Sequence, residues 1–436
     1  MTEPRLPAVS QNKYLRLFFV FITYTAQGVP VGVFFFALPG WLSANGASPL
    51  ELGGFLSAAS LPWSLKFING FLMDRFAFLK MGRRRPWLIT AQLIMVAGLV
   101  LLAILAPGPD ELALLSGFAF VVMFATTFQD VAIDGLAVDL LEEDERGIAN
   151  GLMFGAQSIG IAGGTAIVGM MMAAYGIAPA MIAAAIFVGA VLILVIGVRE
   201  HPGERILPWT RGEASAVTSE RHVGNWKVLV GSVWTSMIPH NSLLFLGVQL
   251  MVGSAYGIML GVLPLVAVNE AGWTDAQFSN TAGASSLVAG LLGVLVYGVV
   301  TEKLTARIAA ALGMVLFGGC GAIAAGFQPL WSSGSFNTSL IYGFYAFQVL
   351  YLVANCALAM AICSRSIGAT QFTLYMATAN LGMTMGSALL GPLDAIGGYT
   401  GMFAGIAVTA FTGAVLVCLV IAKAPQNAPV GAASFD

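Results

Sequence analysis

The feature that most constrains the fold of this chain is a succession of long apolar segments separated by short polar stretches. Only 9% of the 436 residues are charged and 58% are hydrophobic, whereas about 25% are charged in an ordinary soluble domain. Roughly 20 apolar residues suffice to cross a bilayer as a helix. The sequence therefore predicts an all-α integral membrane protein with twelve spans, at 15–42, 50–73, 87–106, 111–139, 148–174, 178–198, 241–267, 277–300, 308–327, 339–362, 371–393 and 399–422.

The twelve segments form two groups of six, separated by the longest polar stretch of the chain. This pattern predicts an N-terminal six-helix bundle at 1–198, a linker at 199–227 and a C-terminal six-helix bundle at 228–436. All but one of the 19 lysine and arginine residues fall at the termini, in the linker or in alternate loops on one side. Because basic loops stay in the cytosol, we expect both termini and the linker to be cytoplasmic. The exception is Lys66, within the second segment.

Three short motifs recur in the same order in both groups, 225 to 228 residues apart. Such a repeat, with the same topology in each group, indicates two parallel halves related by an axis along the membrane normal. This arrangement resembles the major facilitator fold, and the resemblance implies that substrate binds near the membrane midplane between the halves. The matched motifs are Leu38-Pro39 with Leu263-Pro264, Gly46 and Ser48 with Gly272 and Thr274, and Asp74-Arg75 with Glu302-Lys303.

Asp130 and Asp134 lie inside the fourth apolar segment and share one helix face, because they are four residues apart. Ionisable residues inside a membrane are rare and mark ion or substrate pathways. Two buried carboxylates repel each other, which favours the neutral form of one of them. We therefore predict that Asp130, Asp134 and Lys66 couple transport to protons. The alternative is that one acid only neutralises Lys66 or bonds neighbouring helices together.

Lys66 and Asp130 lie at similar depths above the predicted cytoplasmic ends of their spans, so an ion pair between them is expected. The alternative for Lys66 is a lysine that extends to the interface. Asp139 lies close to the cytosol and is interpreted as an interfacial residue.

Amide and tyrosine side chains inside the apolar segments are candidates for lining a substrate cavity. As a group they suit a neutral or amide-rich substrate better than a small inorganic ion. Each can instead form an interhelical hydrogen bond. The predicted substrate-binding residues are Tyr24, Gln27, Gln129, Gln157, Gln249, Tyr351, Asn355, Tyr375 and Asn380.

A polar loop follows the second segment and combines a glycine, an acid-base pair and a run of arginines. Since arginine binds carboxylate with two parallel hydrogen bonds, these groups can latch one conformation. The alternative is a basic anchor that only sets topology. The predicted latch residues are Asp74, Arg75, Arg83, Arg84, Arg146, Glu302 and Lys303.

Segments five and eleven are rich in glycine, which permits close helix approach. We expect these two segments to slide past each other as the halves move. Their glycines are Gly151, Gly155, Gly160, Gly163, Gly164 and Gly169 in the fifth segment, and Gly382, Gly386 and Gly391 in the eleventh.

Several motifs resemble the AmpG-type muropeptide permeases and the related acetyl-CoA transporters. The resemblance implies a proton-driven importer of anhydro-muropeptides in the bacterial inner membrane, with Lys66, Asp130 and Asp134 as its charged set and Gln27 and Gln129 beside them. The motifs are Gln27-Gly28-Val29-Pro30, Leu61-Pro62-Trp63-Ser64-Leu65-Lys66-Phe67, Met73-Asp74-Arg75, Gly82 to Trp87, Gln129-Asp130, Glu145-Arg146-Gly147, and Ala369 to Tyr375 with Ala379 to Gly382.

Other functions stay open at this stage. A related group of short permeases imports siderophores, and an acyl-CoA-like anion is a further candidate substrate. A membrane enzyme or receptor is disfavoured, because the sequence has no metal-ligand spacing and no serine elbow. The expected partners are a small-molecule substrate, protons and lipid, with no cofactor, no metal and no nucleic acid, and the expected state is a monomer.

Overall fold

The computed structural model describes residues 8–76, 78–141, 146–216, 218, 239–363 and 368–421, and these residues fold into twelve long helices. Ten helices of the described part are long and apolar enough to cross a membrane. The all-α prediction is therefore confirmed. The helices are α1 (Lys13–Ala44), α2 (Pro49–Ser64 and Lys66–Arg75), α3 (Arg85–Leu105), α4 (Leu112–Leu140), α5 (Arg146–Tyr175), α6 (Ile177–Gly197), α7 (His240–Asn269), α8 (Asp275–Leu292, Gly293–Tyr297 and Gly298–Leu304), α9 (Ala306–Gly326), α10 (Gly334–Ile362), α11 (Gly368–Ala388) and α12 (Leu390–Leu419).

The chain reverses direction inside α12, at Gly397 and Gly398. Both glycines have non-helical backbone angles, and Gly398 has a φ of 57°. Beyond them, Gly405 lies against the Leu393 side chain. Twelve residues of continuous helix would separate these positions by about 18 Å, so the turn brings them together. The first turns of α12 thus extend α11, and the last span begins at Tyr399, in agreement with the predicted segment.

The turns that join α1 to α2 and α7 to α8 have the same construction. Gly46 and Gly272 have positive φ angles of 84° and 67°, a conformation that glycine adopts without strain. A capping box then starts each following helix, with Ser48 at α2 and Thr274 at α8. These turns are equivalent parts of the two halves.

Glycines bring two pairs of helices into backbone contact. A Cβ atom on Gly28 of α1 would overlap the backbone of α5, and one on Gly253 of α7 would overlap the backbone of α11. From the other side, Gly160 faces α1 and Gly382 faces α7. Gly160 and Gly382 thus pack inside their own halves. In contrast, Gly169 of α5 lies against Ser279 of α8, and Gly391 of α12 lies against Leu50 of α2. The sliding of segments five and eleven stays a prediction.

The two halves meet where α2 packs against α11 and α5 packs against α8. On α2, the Ser60 hydroxyl lies 2.9 Å from the Thr384 hydroxyl of α11. On α8, Gly283 packs against Ala166 of α5. Gly40 of α1 lies against Phe278 of α8 at the end of the bundle away from the basic loops. Small and hydroxyl-bearing side chains thus line the contact between the halves.

Helices α2 and α8 are irregular at the same depth. Leu65 interrupts α2 with φ and ψ of −95° and 0°, just after Pro62, a residue that cannot donate a backbone hydrogen bond. Its counterpart in the repeat, Gly293, begins a π-helical turn in α8. The interruption in α2 is directly followed by Lys66.

The start of the predicted linker packs on the first half. Arg205 donates its backbone N–H to the Lys80 carbonyl at 2.7 Å, and Val9 donates its N–H to the Arg199 carbonyl at 2.8 Å. The chain before α1, the loop between α2 and α3, and the stretch after α6 therefore form one polar layer, called the basic end below. Residues 217 and 219–227 of the linker, including its predicted boundary at 227, lie outside the described residues.

Candidate functional site

An ion pair lies at the centre of the first half. The Lys66 Nζ atom is 2.8 Å from Asp130 Oδ2, and the two side chains are 16% and 8% exposed. Gln27 Nε2 donates to the other carboxylate oxygen, Asp130 Oδ1, at 2.7 Å. Both oxygens of Asp130 therefore have charged or amide partners, from α2 and α1. The pairing expected from the depths of Lys66 and Asp130 is present.

Asp134 lies one helical turn from Asp130 and accepts a hydrogen bond from the Tyr24 hydroxyl of α1. Both aspartates lie close enough to Lys66 to interact with it electrostatically. Two carboxylates near one ammonium group carry a net charge of about −1 when both are ionised. One bound proton brings the net charge of the group to zero.

Two further amides fasten α4 to its neighbours beside these acids. Gln129 Nε2 donates to the Thr23 carbonyl of α1 at 2.8 Å. Asn69 Nδ2 donates to the Thr127 hydroxyl at 2.9 Å, joining α2 to α4. The structure thus brings together the predicted residues of α1, α2 and α4.

In the second half, an amide network occupies the equivalent place. Asn355 Nδ2 donates to Gln249 Oε1 at 2.6 Å, and Gln249 Nε2 donates to the Tyr375 carbonyl at 3.1 Å. In the repeat, Asn355 corresponds to Asp130 and Gln249 to Tyr24. The network joins α7, α10 and α11 with neutral groups.

The other predicted substrate-binding residues lie at several places. Tyr351 packs edge-on against Phe317, with ring centroids 5.8 Å apart, and Tyr375 packs against Phe245 at 4.8 Å, so both lie inside the second half. Asn380 instead reaches the first half. Gln157 is half-buried on α5, where its carbonyl faces α1.

The contact between the halves includes residues that the sequence did not single out as site residues. Asn380 Nδ2 of α11 donates to the Trp63 carbonyl of α2 at 3.2 Å. The Trp63 ring lies 5.9 Å from the Lys66 Nζ atom. Thr384, one turn from Asn380, contacts three serines of α2. The Leu61 to Phe67 motif contained Trp63 and was the one available signal for it.

At the basic end, Arg83 and Arg84 lie near a carboxylate. Arg83 Nη1 and Arg84 Nε are 3.6 and 3.8 Å from Asp139 Oδ2. Asp139 was interpreted as an interfacial residue and was not among the predicted latch residues. Lys303 is exposed at the end of α8. The side chains of the other predicted latch residues, Asp74, Arg75, Arg146 and Glu302, lie outside the part of the chain that the structure describes.

Glu200 also lies at the basic end and binds the N-terminus of α3. Its carboxylate accepts hydrogen bonds from the backbone N–H groups of Arg83, Arg84 and Arg85, at 2.5 to 2.7 Å. Burial, followed by the nearby Glu204, raises the pKa of Glu200 to about 7, although the backbone bonds act in the opposite direction. Sequence reasoning missed Glu200. Its position directly after an apolar segment was the available signal, because a carboxylate stabilises a helix N-terminus such as that of α3.

The Arg85 guanidinium, at the start of α3, binds the C-terminal end of α6 and the stretch that follows it. It donates to the carbonyls of Val195 and Ile196 at the end of α6, and to those of Arg205 and Ile206. Arg85 therefore satisfies carbonyls that the helix end leaves without partners. Together with Glu200, it joins α3 to α6.

A bundle of apolar helices in two equivalent halves, with an ion pair at its centre, defines a membrane transport protein. Residues 17–350 match the family model described as Major Facilitator Superfamily. The chain belongs to this superfamily. It is accordingly a multi-pass membrane protein and a secondary transporter of small molecules, and it is not an enzyme.

Curated relatives support the AmpG-type resemblance. The chain is 25% identical over 392 residues to the anhydromuropeptide permease of Escherichia coli K12, covering 85% of this chain and 74% of the relative. It is 24% identical over 410 residues to the putative transporter AmpG 4 of Rickettsia conorii, covering 90% of this chain and 93% of the relative. The predicted resemblance to the AmpG-type permeases is confirmed.

Solved structures agree on the fold. A POT family transporter in complex with a thioalcohol-conjugated peptide superposes with a TM-score of 0.70 at 13% identity, covering 93% of this chain and 95% of that chain. The nucleoside transporter NupG superposes with a TM-score of 0.69 at 12% identity, covering 93% and 98%. At these identities the likeness concerns the fold alone.

Proposed function

We propose that this protein imports a peptidoglycan-derived anhydromuropeptide into the cytosol together with protons. The observation that carries the proposal is the Lys66–Asp130 pair with Asp134 beside it. The similarity to an anhydromuropeptide permease supports the substrate class. In this proposal the protein is a monomer in the bacterial inner membrane, with both termini in the cytosol.

The ion pair offers a simple route for coupling. A proton on Asp130 removes the charge that holds Lys66, and the free ammonium group can then bind an anionic group of the substrate. When the proton leaves on the cytosolic side, the pair re-forms and the substrate loses its partner. Proton and substrate therefore occupy the site together.

The position of Lys66 connects this exchange to the contact between the halves. Lys66 follows the interruption of α2 at Leu65, and α2 packs directly against α11. A change in the partner of Lys66 therefore acts on α2, which forms part of the contact between the halves. Alternating access requires such a change to favour one arrangement of the halves over the other.

One proton that moves down a potential of 100 mV provides about 2.3 kcal/mol. This free energy supports accumulation of roughly fifty-fold per proton. The amount is sufficient for recovery of a dilute cell-wall fragment.

Uptake of labelled anhydromuropeptide into proteoliposomes tests the proposal. We expect accumulation when the outside is acidic, loss of accumulation with a protonophore, and alkalinisation of the medium during uptake. A ferric siderophore and an acyl-CoA are the competitors. Equal uptake with and without the proton gradient would overturn proton coupling, and stronger inhibition by either competitor than by unlabelled muropeptide would overturn the substrate assignment.

A further inference from the structure

Trp63 lies at the meeting point of the ion pair and the second half. It occupies the last turn of α2 before the interruption at Leu65. Its ring lies 5.9 Å from the Lys66 Nζ atom, within the range of a cation–π contact. Its carbonyl accepts a hydrogen bond from Asn380 of α11. Trp63 therefore contacts Lys66 through its ring and the second half through its backbone carbonyl.

The indole nitrogen of Trp63 is buried and has no hydrogen-bond partner among the described residues. Buried tryptophan N–H groups usually find an acceptor, because an unpaired polar group loses its hydration without compensation. Trp331 illustrates the usual case, since its Nε1 donates to the Ala324 carbonyl at 2.8 Å. The Trp63 donor is available to a bound molecule.

Two buried acceptor oxygens, one in each half, also have no described partner. Gln27 uses its amide nitrogen on Asp130, so its Oε1 atom is left buried without a described partner. Asn355 uses its amide nitrogen on Gln249, and its Oδ1 atom is left in the same state. The residue after it, Cys356, lies within electrostatic range of Lys66. A buried donor on α2 and a buried acceptor on α1 thus lie beside the ion pair, and a second buried acceptor lies on α10 of the other half.

We infer that Trp63 is a substrate-binding residue whose Nε1 atom donates a hydrogen bond to a carbonyl or carboxylate oxygen of the transported molecule. In this arrangement the Gln27 and Asn355 oxygens accept hydrogen bonds from N–H or O–H groups of the same molecule. Amide-bearing compounds supply both kinds of group, whereas a phosphate-rich anion supplies acceptors only. This inference rests on the proposed function, which provides an amide-bearing substrate.

The Trp63→Phe variant tests the inference, because it removes the N–H and keeps an aromatic ring. In proteoliposomes we expect KM for anhydromuropeptide to rise about ten-fold, as for the loss of one hydrogen bond to a polar ligand group. The maximal rate should stay within a factor of two, and the pH profile of uptake should be unchanged. The matched control is Trp331→Phe, which should leave KM unchanged.

An unchanged KM in Trp63→Phe, with saturable uptake by the wild-type chain, overturns the inference and leaves the proposed function intact. No saturable uptake by the wild type overturns both. If Trp63→Phe does not fold, the wild-type chain with ¹⁵N-labelled tryptophan serves instead. Saturation with anhydromuropeptide should then shift one of the eight tryptophan indole N–H signals downfield, and the absence of any shift overturns the inference.

Discussion

The two halves of the molecule share one backbone framework and differ in charge. Gly160 and Gly382 pack their helices against equivalent positions of α1 and α7. In contrast, the place of Asp130 in the first half is taken by Asn355 in the second, and Val294 stands where the repeat aligns Lys66. The duplicated architecture therefore does not require the ion pair.

This difference indicates separate tasks for the halves. The amides of the second half are joined by hydrogen bonds between neutral groups, from Asn355 to Gln249 and from Gln249 to the Tyr375 carbonyl. The ion pair of the first half is stable only while both charges are present, because a lone charge is costly in such a site. A proton can therefore change the first half and has no equivalent target among Gln249, Asn355 and Val294.

The largest expected effect follows from replacing Asp130 in the first half. Asp130→Asn leaves Lys66 without its carboxylate and removes the proposed proton acceptor. Accumulation of substrate in proteoliposomes should fall from roughly fifty-fold per proton to equilibration. The matched change in the second half, Asn355→Ala, should raise KM, because the Asn355 oxygen is proposed to bind substrate, but it should retain proton-driven accumulation at saturating substrate. Full accumulation by Asp130→Asn would remove Asp130 from the coupling mechanism.

A second test replaces Lys66 and Asp130 by the residues that the repeat aligns with them in the second half, valine and asparagine. Lys66→Val alone leaves a buried carboxylate unpaired, which costs about 3–5 kcal/mol of stability. The double variant Lys66→Val with Asp130→Asn removes both charges, so thermal unfolding in detergent should return close to that of the wild type. Uptake should remain uncoupled from the proton gradient. A double variant that is less stable than Lys66→Val would contradict this account of the pair.

Replacing the helix-packing glycines by alanine should destabilise the protein equally in both halves. Gly160→Ala and Gly382→Ala each place a methyl group in the backbone of a neighbouring helix, and such overpacking costs about 2 kcal/mol. The control is Gly163→Ala, where the new methyl group meets open space. Thermal unfolding measures all three variants. A strong effect in only one half would show that the two frameworks are not equivalent.

The last comparison concerns Glu200, for which the other half has no described counterpart. Its pKa in the folded protein is raised to about 7 from 4.5, so the folded state holds the proton more tightly than the unfolded state. Its contribution to stability is therefore greatest below about pH 4.5 and declines as the pH rises to about 7. Glu200→Gln, which stays neutral, should gain stability relative to the wild type across this interval.

Thermal unfolding at several pH values measures this relative stability. Glu213→Gln, at an exposed position in the same stretch after α6, is the control for the replacement of a glutamate by glutamine. A stability difference between Glu200→Gln and the wild type that is constant from pH 4.5 to 7 would contradict the proposed role of burial.

Much of the fold was predictable, because lipid exposure demands long apolar segments that a sequence displays directly. The Gly46 and Gly272 turns were predictable for a similar local reason, since a positive φ and a capping residue are short-range requirements. The contact of Lys66 with Asp130 was expected from depth alone. The three backbone bonds to Glu200 were not, because backbone donors are not visible in a residue pattern.

The sequence by itself determined the number of spans, the duplication and the identity of the buried charges, since each depends on residue type and spacing along one segment. Only the tertiary structure decided which surfaces meet. Helix periodicity places a residue on a face but does not say which helix packs against that face. For this reason the packing of Gly160 against α1, the Asn380 contact to Trp63 and the unpaired Trp63 N–H emerged from the assembled bundle alone.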